Sequence, residues 1–121
     1  MNEKKTLVLG ASDNPSRYSY LAIQRLRKHG HPVVGVGRKY TRVADVTIDK
    51  EQKQYDNIDT VTLYLNSKHQ AEYYDYILSL KPKRIIFKPG AENEELVVLA
   101  KENGIDTLEA CTLVMLSTNQ Y

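Results

Sequence analysis

The sequence predicts an α/β fold, a doubly wound three-layer α/β/α sandwich with a mostly parallel sheet of about five strands and helices on both faces. Three observations carry that expectation. Short, branched apolar runs alternate from end to end with amphipathic stretches at helical spacing. A length of 121 residues suits one domain with a real core, spanning residues 1–121, and is too small for two. A composition 41% hydrophobic and 26% charged is that of an ordinary globular chain, far from the polar corner where chains stay disordered.

Residues 6–9 read as the first strand, too short for a helix and closed by Gly10. Asn14 and Pro15 carry a helix-start signal, a capping oxygen followed by a residue whose missing N–H is harmless in the first turn. Tyr18, Leu21, Ala22 and Leu26 then form an apolar stripe, with Arg17, Gln24, Arg25, Arg27 and Lys28 on the wet side. Gly30 ends this helix, and Pro32 opens a strand over 33–36. The stretch 38–57 is polar and offers only Val46, Thr47 and Ile48, read as a brief edge strand. Residues 59–65 make a strong strand, apolar at Val61, Leu63 and Leu65. Ser67 is expected to cap a helix with Ala71, Tyr74, Ile77 and Leu78 inward, Tyr73 and Tyr76 on another side, and Pro82 as its stop. Residues 84–87 form a strand, Lys88, Pro89 and Gly90 a turn, and 92–103 a helix ended by Gly104. The last strand covers 105–108, and the apolar tail 110–116 is expected to pack down as a short helix.

Right-handed crossovers and short connections make a Rossmann-like arrangement the economical one. The run Leu96, Val97, Val98, Leu99, Ala100 is apolar nearly all round. It reads either as a helix buried under the C-terminal tail or as a homodimer contact.

Several function classes are excluded or disfavoured. No apolar run approaches the length of a membrane span. The N-terminus is polar and leads straight into a strand, unlike a signal peptide, so a cytoplasmic protein is expected. One cysteine, Cys111, makes neither an internal disulfide nor a metal site. The net charge is only +2, although Arg17, Arg25, Arg27, Lys28, Arg38, Lys39 and Arg42 crowd the first third. No aromatic residues interleave with them in a recognition motif, which argues against nucleic acid as a partner.

In an open parallel sheet, ligands bind beyond the carboxyl ends of the strands, where strand order reverses. That rule selects residues 10–15, 37–39, 65–67 and 88–90. Gly10 permits a tight turn, Ala11 and Ser12 are small, and Ser12 adds a hydroxyl. The amides that open the next helix make a natural anion site. The loop has no Gly-x-Gly-x-x-Gly and no Walker sequence. After the second strand, Gly37, Arg38 and Lys39 stand where an NAD enzyme usually places an acid for the ribose. Two cations there favour a phosphorylated ribose, the 2′-phosphate of NADP or the 3′-phosphate of coenzyme A; solvated surface charge is the other reading.

Gly10, Ala11 and Ser12 with Asn14 and Pro15, followed by Arg17, Tyr18 and Ser19, resemble the opening of the small stand-alone CoA-binding proteins. These are similar to the nucleotide-binding domain of the succinyl-CoA synthetase alpha subunit. Pro89, Gly90, Ala91 and Glu92, then an acidic helix and Gly104 with Ile105, match that family's second landmark, and the likeness runs over roughly residues 6–116. The resemblance implies a CoA diphosphate against Gly10, Ala11 and Ser12, with Arg17, Tyr18 and Ser19 lining the site. It places Arg38 and Lys39 near the adenosine phosphate and Leu65 and Asn66 at the crevice border. The sequence departs from the pattern in two places. Lys88 replaces the amide residue usual before the Pro-Gly turn, and either strengthens anion binding or fills the pocket. Gly37 and Arg38 stand where relatives commonly have Asn-Pro. The chain also stops before any phosphohistidine segment of the synthetase type.

Signs of an enzyme are few. His29 and His31 flank Gly30 at the end of the helix remote from the crevice, and His69 sits near its ligand end without a metal-cluster spacing. Cys111 reads as a packed thiol, with a mixed disulfide or thioester as the sharper alternative. The expected ligand is therefore coenzyme A or an acyl-CoA, bound without catalysis by this chain alone, with an acyl-CoA-using enzyme as a candidate partner. An NADP-binding protein or oxidoreductase, and an interaction module with a degenerate pocket, are the alternatives.

Overall fold

The computed structural model describes residues 3–121. Chain order runs β1 (Thr6–Ala11), α1 (Tyr18–Lys28), β2 (Val33–Gly37), β3 (Thr41–Val43), β4 (Val46–Asp49) and β5 (Thr60–Leu63). It continues through α2 (Ser67–Gln70), a 3-10 turn (Ala71–Tyr73), α3 (Tyr74–Leu80), β6 (Arg84–Phe87), α4 (Glu94–Glu102), β7 (Asp106–Glu109) and α5 (Thr112–Ser117). The strands form one sheet in the order β3-β4-β2-β1-β5-β6-β7. Every pairing is parallel except that of β3 with β4. Setting β3 aside, the chain winds outward from β1 in both directions, as in dinucleotide-binding sheets.

Side-chain alternation in the strands assigns the two faces. Leu7 and Leu9, with Val61, Leu63, Ile85 and Phe87, pack against Tyr76, Ile77 and Leu80 of α3 and Leu96 and Ala100 of α4. Val8, with Val46 and Ile48, faces the other way onto Ile23 and Leu26 of α1 and Leu116 of α5. Each such side chain contributes about 2 kcal/mol on leaving water, so the layers are held by many modest terms. Thr62 is fully buried between Val61 and Leu63 because its hydroxyl meets that of Thr112 at 2.9 Å.

The sheet has seven strands rather than about five. β3 escapes a sequence reading because Val43 is its one buried apolar residue. It is fixed by a tight hairpin to β4, where Val43 pairs with Val46 and Ala44 takes φ 54°. The brief strand at 46–48 is consequently interior, paired with β2 and β3, and not an edge.

Other boundaries move for local reasons. Asn14 caps a turn and not the helix: its Oδ1 accepts from the Ser16 amide at 3.0 Å and the Ser16 hydroxyl at 2.8 Å. α1 begins three residues after Pro15, and its inward side is Ser19, Ala22, Ile23 and Leu26, while Tyr18 is exposed. Asn66, and not Ser67, caps α2 through a 3.2 Å bond from the His69 amide. The 3-10 turn resets the helical phase, so Tyr76 is buried while Tyr73 and Tyr74 are half-buried. The tail does not cover α4; α5 joins the α1 layer, and Val98 on α4 stays 52% exposed.

Candidate functional site

β1 and β5 are neighbours from which the chain departs in opposite directions, and a cleft of about 740 Å³ opens at their carboxyl ends. A volume of that order suits a cofactor-sized molecule. Glycine controls its floor. A register irregularity between Leu9 and Ala11 isolates Gly10, which takes φ +89°. A Cβ on Gly10 would lie 2.8 Å from the Tyr64 carbonyl oxygen, while the Tyr64 amide donates to the Leu9 carbonyl at 2.8 Å. Gly37 is tighter still, because a Cβ there would sit 2.2 Å from the Ala11 carbonyl oxygen. These approaches bring the ends of β2, β1 and β5 together and leave the turn at Ala11 and Ser12 open to the cleft.

Polar groups converge on that turn. The Ser12 Oγ accepts from the Asn14 amide at 3.0 Å, which leaves its own proton free to donate outward. Tyr18 and Ser19 open α1, so their amides have no preceding helical carbonyl, and the positive end of the helix faces the cleft they line. No acid occupies the first turn of α1. Arg17 lines the cleft beside them, and neither it nor Arg38 forms an ion pair among the described residues. Lys39 differs: its Nζ lies 3.3 Å from Asp13 Oδ2, which also accepts from Thr41 Oγ1 at 2.7 Å. The Thr41 bond, aided by Lys39, holds the Asp13 carboxyl below its usual range.

The far wall is built by a buried amide clamp. Gln70, wholly inaccessible, donates through Nε2 to the carbonyls of Leu65 at 2.8 Å and Ala91 at 2.7 Å. Its Oε1 accepts from Asn93 Nδ2 at 2.9 Å, and Asn93 Oδ1 caps α4 through the Leu96 amide. The clamp therefore fixes the ends of β5 and β6 to each other. Lys88 lines the cleft, half-buried, with its ammonium turned back to the Pro89 carbonyl at 3.2 Å. Burial raises the Tyr73 hydroxyl pKa and Glu72 adds to the rise, while the nearby Arg38 opposes it.

Of the residues the sequence pointed to, Gly10, Ala11, Ser12, Arg17, Tyr18, Ser19, Gly37, Arg38, Lys39, Leu65 and Lys88 line the cleft. Asn14, Asn66, Pro89 and Gly90 do not; they shape the turns beside it. Ser16, Thr41, Tyr64, Glu72 and Tyr73 line it as well and were missed. Asp13, inside the selected turn at 10–15, and His69, read near the ligand end, line it without having been named as site residues. Asp13 adjoins Ser12 and was legible from position alone. Thr41 required β3, and Glu72 and Tyr73 required the 3-10 turn. Cys111 precedes α5 and stands outside the lining, whereas Arg27 is engaged with Asp45 through bonds of 2.9 and 2.8 Å.

By class this is a doubly wound α/β protein with an open switch-point crevice floored by glycine and small residues. Residues 4–117 match the family model described as the CoA binding domain, and the chain belongs to that family. A solved, uncharacterised protein is 52% identical with a TM-score of 0.96, and all of both chains is covered. A hypothetical protein from Pyrococcus horikoshii OT3 is 25% identical with a TM-score of 0.87, over 97% of this chain and 84% of that one. The dinucleotide-forming acetyl-coenzyme A synthetase 1 of Ca. Korarchaeum cryptofilum, solved with phosphate and ADP, shares the fold at 20% identity and a TM-score of 0.75. The match covers 90% of this chain and 26% of the synthetase.

Among the described residues no helix is long and apolar enough to cross a membrane.

Proposed function

We propose that the cleft binds coenzyme A or an acyl-CoA, and that this chain holds the ligand without transforming it. The observation that carries the reading is the glycine-floored turn at the end of β1, where main-chain donors and the Ser12 hydroxyl meet Arg17. Such a cradle suits a diphosphate, because donors fixed by the fold lose little entropy on binding and the charge of Arg17 strengthens their bonds. Membership of the CoA binding domain family supports the choice of ligand. Arg38 stands at the end of β2, where a ribose phosphate would be read. Lys39 shares that place, although Asp13 already holds its ammonium.

Binding without chemistry is favoured by the polar arrangement itself. Ser12 is engaged by an amide and not by a base, and no histidine is hydrogen-bonded to it among the described residues. A bound thioester would then be presented to a separate acyl-CoA-using enzyme. The cations after β2 also favour a second reading, NADP, whose ribose bears a phosphate.

Calorimetric titration separates the two. CoA should bind saturably, Arg17→Ala should weaken it about tenfold and Ser12→Ala less. Dephospho-CoA should bind more weakly than CoA if Arg38 reads the 3′-phosphate. NADP binding that CoA does not compete with would replace this reading by the second.

A further inference from the structure

Asp13 poses a question the diphosphate reading does not answer: why a carboxylate stands on the wall of a cleft meant for an anion. Its two oxygens are used differently. Oδ2 takes both internal partners, the Thr41 hydroxyl at 2.7 Å and the Lys39 ammonium at 3.3 Å. Oδ1 has no hydrogen-bond or ion-pair partner among the described residues, and Asp13 lines the cleft. The carboxylate is thus held from one side and offers a free acceptor on the other. Its lowered pKa keeps that acceptor ionised at neutral pH.

Position then restricts what the acceptor can meet. If the diphosphate lies on Ala11 and Ser12 and a ribose phosphate lies near Arg38 and Lys39, the sugar that joins them must pass between. Asp13 follows Ser12 in the chain and touches Lys39 in space, so it occupies that interval. A ribose phosphorylated on one carbon has a hydroxyl on the next, which needs an acceptor, while its phosphate needs a cation. A carboxylate carrying a lysine on its far oxygen supplies both within one contact. The end of β2, where an acid would ordinarily take this role, holds Arg38 instead.

We propose that Asp13 is a specificity residue that accepts a hydrogen bond from the free ribose hydroxyl through Oδ1, while Thr41 and Lys39 hold its other oxygen. This rests on the diphosphate reading above and names how the same site selects ribonucleotides over deoxyribonucleotides. It assigns Lys39 a shared duty, partly neutralised by Asp13, and leaves Arg38 as the stronger phosphate reader.

The test uses ADP and 2′-deoxyADP, which differ by that one hydroxyl, with CoA titrated alongside. Wild-type protein should prefer ADP by about tenfold, as expected for a hydrogen bond to a charged acceptor. In Asp13→Asn the preference should fall to near unity, with folding checked by circular dichroism. Thr41→Val, which frees the carboxylate to rotate, should reduce the preference only in part. CoA binding to the wild type with equal affinity for ADP and 2′-deoxyADP would overturn the assignment of Asp13 alone. So would an undiminished preference in Asp13→Asn, or equal tightening of all three ligands, which would make Asp13 merely repulsive. Failure of both CoA and ADP to bind would overturn the diphosphate reading and this assignment together.

Discussion

Gly37 shows how one residue can serve both the sheet and the cleft. Its missing side chain lets β2 lie against the Ala11 carbonyl, at a spot where a Cβ would be 2.2 Å from that oxygen. The obstacle is backbone, which cannot swing aside as a flexible side chain can. Gly37→Ala should therefore cost about 3 kcal/mol, read as a lower urea midpoint, because β1 and β2 must part. Gly30 provides the contrast: it takes φ +85°, and a methyl group there would meet nothing within 4 Å. Gly30→Ala should cost only about 1 kcal/mol, from backbone strain alone. Equal costs at the two sites would show that β1 and β2 tolerate separation.

At the scale of elements, the sequence was informative wherever apolar periodicity and the residues that break it agreed. The strands at 6–9, 33–36 and 84–87 coincide with β1, β2 and β6 to within two residues at either end. So do the glycine ends of α1 and α4, with Gly30 and Gly104 both at positive φ. The position of the cleft was legible to the same extent, since strand ends can be placed once strands are known. What stayed hidden depends on contacts between distant segments. β3 exists because it pairs with β4, and its polar residues give no period. Gln70 looks like a surface residue of a short helix, yet it is buried because Leu65, Ala91 and Asn93 answer every one of its polar atoms. The break at the 3-10 turn, which places Tyr73 on the cleft wall, likewise reflects packing that no local pattern announces.

At the scale of the whole molecule, the end of the sheet opposite the cleft carries an acid-sensitive group. His31 is buried, its Nδ1 accepts from the Lys4 amide at 3.0 Å, and its ring meets that of Tyr121 with centroids 4.9 Å apart. Burial lowers its pKa below 6.5, with Lys4, His29 and Arg84 adding to the effect and Glu3 opposing it. The unfolded chain thus takes up this proton first. Stability should be full above pH 6.5, decline as pH falls below it, and level off once the folded value is passed. Melting temperatures followed from neutral to mildly acidic pH should show that decline in the wild type and a flatter profile in His31→Gln. An unchanged profile in the variant would move the effect to other groups.

The cleft lies at the other end of the same sheet, so acid sensitivity and the proposed binding can be measured separately. The most direct measurement is an amide NMR titration of the uniformly nitrogen-labelled protein with CoA. Saturable shifts should centre on Gly10, Ala11, Ser12, Tyr18 and Ser19, with smaller ones at Arg38 and Lys39. Saturation with those amides unmoved, or no saturable shift at millimolar CoA, would contradict a diphosphate held at the end of β1.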